Sequence, residues 1–203
     1  MQPDTGPRES ADAPRPGDAL LIVDVQNDFL PGGALAVPHG DQVVPSLNRY
    51  IARFRAAQLP VFATRDWHPP DHCSFRAQGG PWPAHCVAGT AGARFAAALE
   101  LPASAQIVSK AQRPERDAYS GFEGTDLDAR LRAAGVRRVF VGGLATEYCV
   151  LNTAKDALRH GYAVVLLLDA VRAIDAQPGA GARALEELRR LGARLHRNAA
   201  QSA

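Results

Sequence analysis

Cys149 stands where a buried strand gives way to a helix. The run Val139-Phe-Val141 is apolar, Gly142-Gly143 breaks it, and Thr146 reads as the N-cap of the following helix, with Cys149 at the N3 position. A thiol in a first helical turn meets free backbone N–H groups and the positive end of the helix dipole. Both favour thiolate, so Cys149 is a nucleophile candidate. The plainer reading is a small buried hydrophobe at a strand–helix junction. A cysteine nucleophile needs a proton acceptor and a charge that stabilises thiolate. The usual acceptor is histidine, but His39, His68, His72, His85, His160 and His196 do not close any strand in the sequence pattern. Asp24 and Lys110 do. Asp24 could take the thiol proton, and Lys110 could hold the thiolate and keep Asp24 ionised. An ordinary ion pair at a strand edge would use the same two residues.

A second constellation is Asp66-Trp-His68-Pro-Pro-Asp-His72, followed by Trp82-Pro-Ala-His85-Cys86. Three of the 6 histidines fall within 18 residues, beside a carboxylate. Asp and His together suit zinc, iron or manganese, although the spacing is not that of a zinc finger. A polar surface loop with incidental histidines is the alternative. The third group is aromatic: Phe29, Trp67, Trp82, Tyr119 and Phe122, in a chain with only 6% aromatic residues. Clustered in loops beyond strand ends, they suggest a pocket for a flat ligand. Trp67 and Phe122 also suit loop anchors that pack on the core.

The elements that must position these groups are legible from the apolar pattern. Ala19–Val23 is an apolar run of the kind buried on both faces of a sheet, and it ends at Asp24. Asp41 starts a helix through about residue 57, with Val44, Leu47, Ile51 and Phe54 on its apolar face. Pro60–Thr64 is a second strand, ending in Arg65-Asp66. Residues 65–90 form a long loop rich in Pro, His, Trp and Gly, the kind that compact domains keep for function. Arg94–Leu99 reads as a short helix. Gln106–Ser109 is a third strand, ending at Lys110. Thr125 or Asp126 caps a helix through Ala134, closed by Gly135. The strand before Cys149 and its helix come next. A fifth strand, Ala163–Leu168, ends at Asp169. A helix over 179–191 and a weak strand at 193–195 complete the pattern.

Alternating strands and helices indicate a single α/β domain with a mostly parallel sheet of about six strands, flanked by helices on both faces. Ligands of such sheets bind beyond the carboxyl ends of the strands. Those ends are where the carboxylate, the cation and the thiol converge. The expected organisation is a mobile tail over 1–17, one domain over 18–198 and a short tail over 199–203.

Composition narrows the function. The chain has 203 residues, 46% hydrophobic and 22% charged, with a formal net charge of +2, an ordinary globular balance. The basic residues are scattered, so there is no nucleic-acid footprint. Three cysteines, an odd number without framework spacing, suggest a reducing compartment. The N-terminal residues lack the apolar core of a signal peptide, and the longest apolar run is too short to cross a bilayer. A cytoplasmic protein is expected.

The motifs together resemble the nicotinamidase branch of the isochorismatase-like cysteine hydrolases. The matching residues are Asp24-Val-Gln-Asn-Asp-Phe29, Pro31-Gly-Gly-Ala-Leu35, Arg65-Asp-Trp-His-Pro-Pro-Asp-His72 and Trp82-Pro-Ala-His-Cys86. They continue with Lys110, Asp117-Ala-Tyr-Ser-Gly-Phe122 and Gly142-Gly-Leu-Ala-Thr-Glu-Tyr-Cys-Val150. The resemblance covers about residues 18–197. It departs at Ala111, where the family often has Gly, and in the 1–17 tail. It implies Cys149 as nucleophile, Asp24 as general base and Lys110 as the supporting cation. It also implies a cis peptide between Leu144 and Ala145, with the N–H groups of Ala145 and Cys149 as oxyanion donors. Asp66, His68 and His85 match ligands of one divalent metal, zinc first and iron or manganese as alternatives. His72 matches a ligand of only some members. Phe29, Trp82, Tyr119 and Ala145 match the substrate pocket. The implied reaction is hydrolysis of nicotinamide, and of pyrazinamide, through a thioester. Sister members act on other small amides or on isochorismate, and a non-catalytic binding module is the alternative of another class. The family also suggests a homo-oligomer, with a small molecule as the ligand and no nucleic-acid or membrane partner.

Overall fold

The structure is a computed structural model, and it describes residues 13–197. Six strands form one parallel sheet: β1 (Asp18–Val23), β2 (Val61–Asp66), β3 (Gln106–Lys110), β4 (Arg138–Leu144), β5 (Ala163–Arg172) and β6 (Arg194–His196). Four helices connect them: α1 (Val43–Ala56), α2 (Leu127–Ala133), α3 (Leu151–Arg159) and α4 (Ala180–Arg190). The strand order is β3-β2-β1-β4-β5-β6. The chain therefore builds outward from β1 through β2 to β3, returns to the centre at β4, and builds outward the other way. The direction reverses between β1 and β4, so the crevice for a ligand opens at their carboxyl ends.

The central strands β1 and β4 are mostly apolar and buried because both sheet faces are covered. Along β1, Leu20 and Ile22 join one core cluster with Val43, Leu47, Ile51 and Phe54 of α1. Ala19, Leu21 and Val23 point the other way, into a cluster with Leu127 and Leu131 of α2, Ala154 and Ala157 of α3, and Leu188 of α4. The period-two alternation of a strand divides one apolar run between two cores. Pro45 lies in the first turn of α1, where the missing N–H has no intrahelical acceptor to lose. Among the described residues, no helix is long and apolar enough to cross a membrane.

Several expected boundaries shift. A short 3-10 turn over Gly40–Gln42 precedes α1, so Asp41 does not cap it. β2 extends through Asp66, and β5 runs past Asp169 to Arg172. His196 closes β6, so one histidine does end a strand. The expected helix at Arg94–Leu99 does not form. Its backbone is engaged elsewhere: Asn27 N donates to Arg94 O, Ala96 N donates to Val25 O, and Gln26 bridges Phe95. Groups paired to another segment cannot also close helical turns. Residues 13–17, expected to be a tail, are tied to the sheet: Arg137 N and Arg138 N donate to Gly17 O, and Arg138 Nη2 donates to Ala13 O. The rest of the 1–17 expectation and the 199–203 tail lie outside the described residues.

Gly143 sits at the reversal point, paired with Val23. Its φ is +131°, and an added Cβ would lie 2.0 Å from the Val23 carbonyl oxygen. Gly143→Ala is expected to destabilise the protein by about 4 kcal/mol or more, because backbone rather than a side chain would have to move. A urea denaturation midpoint within error of the parent protein would disprove this.

Candidate active site

Four buried polar side chains meet at the crevice. Asp24 follows β1 with φ +49°, and its carboxylate is fully buried. The Thr64 hydroxyl on neighbouring β2 donates to Asp24 Oδ1 at 2.6 Å. Asp24 Oδ2 faces Lys110 Nζ at 3.0 Å. Asp66 and Lys110 are register partners in the β2–β3 ladder, which brings Nζ to 2.5 Å from Asp66 Oδ1. Lys110 Nζ also donates to Ala118 O at 3.0 Å, and lies 3.5 Å from Cys149 Sγ. One ammonium therefore faces two carboxylates, a carbonyl and the thiol. Parallel register and strand order produce this convergence from residues 24, 66, 110 and 149.

The electrostatics follow from burial opposed by pairing. Burial works against the Lys110 ammonium, but Asp24 and Asp66 outweigh it and hold its pKa well above the usual value. Burial pushes Asp66 up, yet Lys110 and His68 outweigh that, so this carboxyl sits below its ordinary range. Asp24 is raised: burial dominates, Lys110 opposes it, and Asp66 adds to it. Cys149 is pushed well above the ordinary thiol value, by burial first, with Lys110 pulling down and the two carboxylates pushing up.

This corrects the expectation of a first-turn thiolate. Residues Thr146–Val150 form a single π-type turn ahead of α3, and no side chain caps it. Ala145 precedes the turn in extended backbone, and its carbonyl accepts the N–H groups of Tyr148 and Val150. Cys149 is thus the fourth residue of a wide turn rather than N3 of an α-helix. Burial and the two neighbouring carboxylates favour its thiol form, with Lys110 opposing them. A reaction at sulfur must remove that proton as the bond forms, and Asp24 is a carboxylate whose burial raises its affinity for a proton. The Cys149 sulfur lies within 4.8 Å of carboxylate oxygens of both Asp24 and Asp66. The Leu144–Ala145 peptide is cis.

Asp66, His68 and His85 offer ligand atoms within 4.8 Å of one another. Each histidine has its Nδ1 engaged by a backbone carbonyl, His68 on His85 O at 2.9 Å and His85 on Pro83 O at 2.8 Å. Such bonds fix the tautomer with Nδ1 protonated and leave Nε2 as a lone-pair donor, the arrangement that metal-binding histidines need. Burial lowers the His68 pKa to about 4, against the opposing pull of Asp66, so its ring is neutral at pH 7. The donor set therefore fits a divalent cation of the zinc, iron or manganese type. Two overlapping groupings fit less well. Asp24, Asp66 and Cys149 surround the Lys110 ammonium, which already supplies their positive charge. His72, grouped with His68 and Asp117, has both ring nitrogens in use: Nδ1 bonds Ser74 Oγ at 2.8 Å and Nε2 bonds Arg116 O at 3.2 Å. In this arrangement His72 links the 65–90 loop to the segment after β3 and has no lone pair aimed at an ion.

A narrow cleft lies over Cys149. Phe29, Trp82, Tyr119 and Ala145 line it, as the sequence suggested. The Trp82 indole N–H donates to the Tyr119 hydroxyl at 2.9 Å. Trp67 and Phe122 are anchors instead. The Arg65 guanidinium stacks 3.7 Å from the Trp67 ring centroid, and Phe122 packs into the core under α2.

The isochorismatase domain family matches residues 18–199. The chain belongs to the isochorismatase family. It is 40% identical over 202 residues to the nicotinamidase of Escherichia coli, covering 89% of this chain and 95% of that one. Among solved structures, a zinc complex of the pyrazinamidase of Pyrococcus horikoshii superposes with a TM-score of 0.87 at 53% identity, covering 90% of this chain and 100% of the other. PnC1 from L. infantum in complex with nicotinate superposes with a TM-score of 0.83 at 39% identity, covering 90% and 93%.

Six further residues that line this isochorismatase-family cleft were not assigned to it from the sequence: Leu35, Ser74, Asp117, Ala118, Tyr148 and Ile174. Tyr148 had a signal, being an aromatic residue next to the thiol. Its ring lies 5.1 Å from Trp82 edge-on and 5.7 Å from Tyr119. Ile174 had none, because it reaches the cleft only through the unexpected extension of β5.

Proposed function

We propose that this chain is a nicotinamidase, converting nicotinamide and water to nicotinate and ammonia, and that it also hydrolyses pyrazinamide. The observation that carries the reading is the Lys110 ammonium set between Asp24, Asp66 and Cys149 beneath an aromatic cleft. The nicotinamidase and pyrazinamidase relatives support the substrate class, and the nicotinate complex supports a pyridine ring in the cleft.

In this mechanism Cys149 Sγ attacks the amide carbonyl as its proton passes to Asp24. The N–H groups of Ala145 and Cys149 receive the developing oxyanion; such donors are each worth about 10²–10³ in rate. Asp24 returns the proton to the departing nitrogen, and ammonia leaves behind a thioester. Asp24 then takes a proton from water as it attacks, and the collapse of the adduct frees nicotinate and the thiol. Lys110 stays protonated and offsets the negative charge moving between Asp24 and sulfur. Phe29, Trp82 and Tyr119 hold the ring. Asp66, His68 and His85 are the residues that would hold one divalent metal, zinc first. A bound ion of this kind supplies a Lewis-acid contact that orients the ring nitrogen. Residues 18–198 constitute the hydrolase domain in this reading.

The test is ammonia release from nicotinamide by the zinc-loaded protein. Turnover supports the assignment. No turnover with nicotinamide or pyrazinamide, with activity on another small amide, would transfer the chain to a sister hydrolase.

A further inference from the structure

We propose that Glu147 is a positioning residue for the ring slot, acting through Ile174. The inference rests on the nicotinamidase reading for its substrate and deepens it. Glu147 lies two residues before Cys149, in the same π-type turn. Its side chain does not face the reacting groups. Instead its carboxylate reaches across to the loop between β5 and α4. Oε1 accepts the Asp175 backbone N–H at 2.7 Å, and Oε2 accepts the Ile174 N–H at 3.3 Å. Two successive backbone donors on one carboxylate make a directional grip with a charge-assisted acceptor.

The gripped loop carries a wall of the cleft. Ile174 lines the cleft that holds Cys149, and it packs against the same core cluster as Phe29. The loop is held at its far end as well: Asp175 Oδ1 accepts the Gly181 N–H at 2.8 Å, in the first turn of α4. At its near end Arg172 is the β5 partner of Leu144, the last residue of β4. Ile174 therefore sits in a short span with fixed ends, and Glu147 fixes the middle. Because Glu147 and Cys149 share one turn, the grip ties the position of the wall to that of the sulfur. The distance between them sets the width available to a planar ring, and a wall that is free to move must be ordered when the ring binds, which weakens binding.

The chemistry also explains the residue type. A carboxylate offers one oxygen to each N–H group and brings no donor to repel them. Gln at this position keeps one acceptor and places an NH₂ against the second N–H.

Glu147→Ala is expected to raise KM for nicotinamide about tenfold with kcat changed less than about threefold, since it loosens binding and leaves the reacting groups in place. Glu147→Gln recovers part of the loss. Ile174→Ala raises KM by a similar factor, and adding Glu147→Ala to it raises KM no further, because both act through one wall. The same cycle read as Kd for nicotinate, by calorimetry, does not depend on turnover. Additive effects in both cycles, or a Glu147→Ala variant with unchanged KM and Kd, overturn the inference and leave the nicotinamidase assignment standing. An intact Kd cycle in a protein without amidase activity supports the inference while removing that assignment.

Discussion

Cys149→Ala is expected to lower kcat for nicotinamide by about 10⁴-fold or more, the scale seen when a covalent nucleophile is removed. The expectation follows from position rather than from a preset thiolate. The Cys149 thiol is buried, and burial with two nearby carboxylates holds it protonated. Activation must come from Asp24 during attack, with Lys110 3.5 Å from the sulfur to offset the charge that forms. Alanine removes the atom that bonds to the carbonyl carbon in the proposed mechanism. It removes little packing, so the folded protein should remain and should still bind nicotinate. Ammonia release by the purified variant, measured beside its melting temperature, is the check. Turnover within tenfold of the parent protein would sink the thioester route, whatever the substrate proved to be.

Lys110→Met is expected to have the second largest effect, and on stability as well as rate. Met matches the length of the Lys stem but leaves Asp24 and Asp66 buried with no cation between them. Breaking a buried ion pair by deleting one partner costs about 3–5 kcal/mol, because the remaining charge is uncompensated. The cost should depend on pH, with a sign fixed by the carboxylates. Asp24 is already raised by burial with Lys110 present, and Lys110 is the influence that opposes the rise. Without it the folded-state pKa climbs further above the unfolded value. A group raised on folding gives its stability at low pH and loses it as pH rises through the folded value. The variant should therefore recover stability relative to the parent protein as the pH is lowered from neutrality. Urea midpoints at two pH values test this. A deficit that is constant, or that grows on acidification, would mean that the two carboxylates do not depend on Lys110. Loss of the Lys110 bond to Ala118 O should also loosen Tyr119, so activity is expected to fall with stability.

Much of this site was legible because its residues close strands or interrupt apolar runs. Asp24 and Lys110 mark points where buried strands stop, Cys149 lies in the turn that follows another, and in a parallel sheet all such points lie on one edge. The Asp and His cluster of the 65–90 loop was legible for a different reason: side chains of that type, packed into a Pro-rich loop, seldom serve packing, and the family resemblance then singled out Asp66, His68 and His85 within it. The aromatic set was legible only in part, because an anchor such as Phe122 and a pocket wall such as Tyr119 look alike until their neighbours are known.

What escaped the sequence depended on competition between distant segments. Arg94–Leu99 has a local pattern that suits a helix, but residues 25–28 claim its backbone groups, and no local pattern reports that. Thr146 has the chemistry of an N-cap, yet the chain enters through extended Ala145 and opens into a π-type turn. The thiol is consequently presented by that turn, 3.5 Å from Lys110 Nζ, rather than at the N3 position of an α-helix. His72 carries the residue type of a metal ligand, but Ser74 and the Arg116 carbonyl take both of its nitrogens. The sequence by itself determined the layered α/β architecture, the sheet edge that carries the chemistry, and the residue types gathered there. These follow from short-range periodicity and from the cost of burying charge. Tertiary structure alone decided the wide turn that carries Cys149, the engagement of both His72 ring nitrogens, and the place of Ile174 in the cleft wall. Those depend on distances between groups far apart in the chain, which only the packed sheet sets.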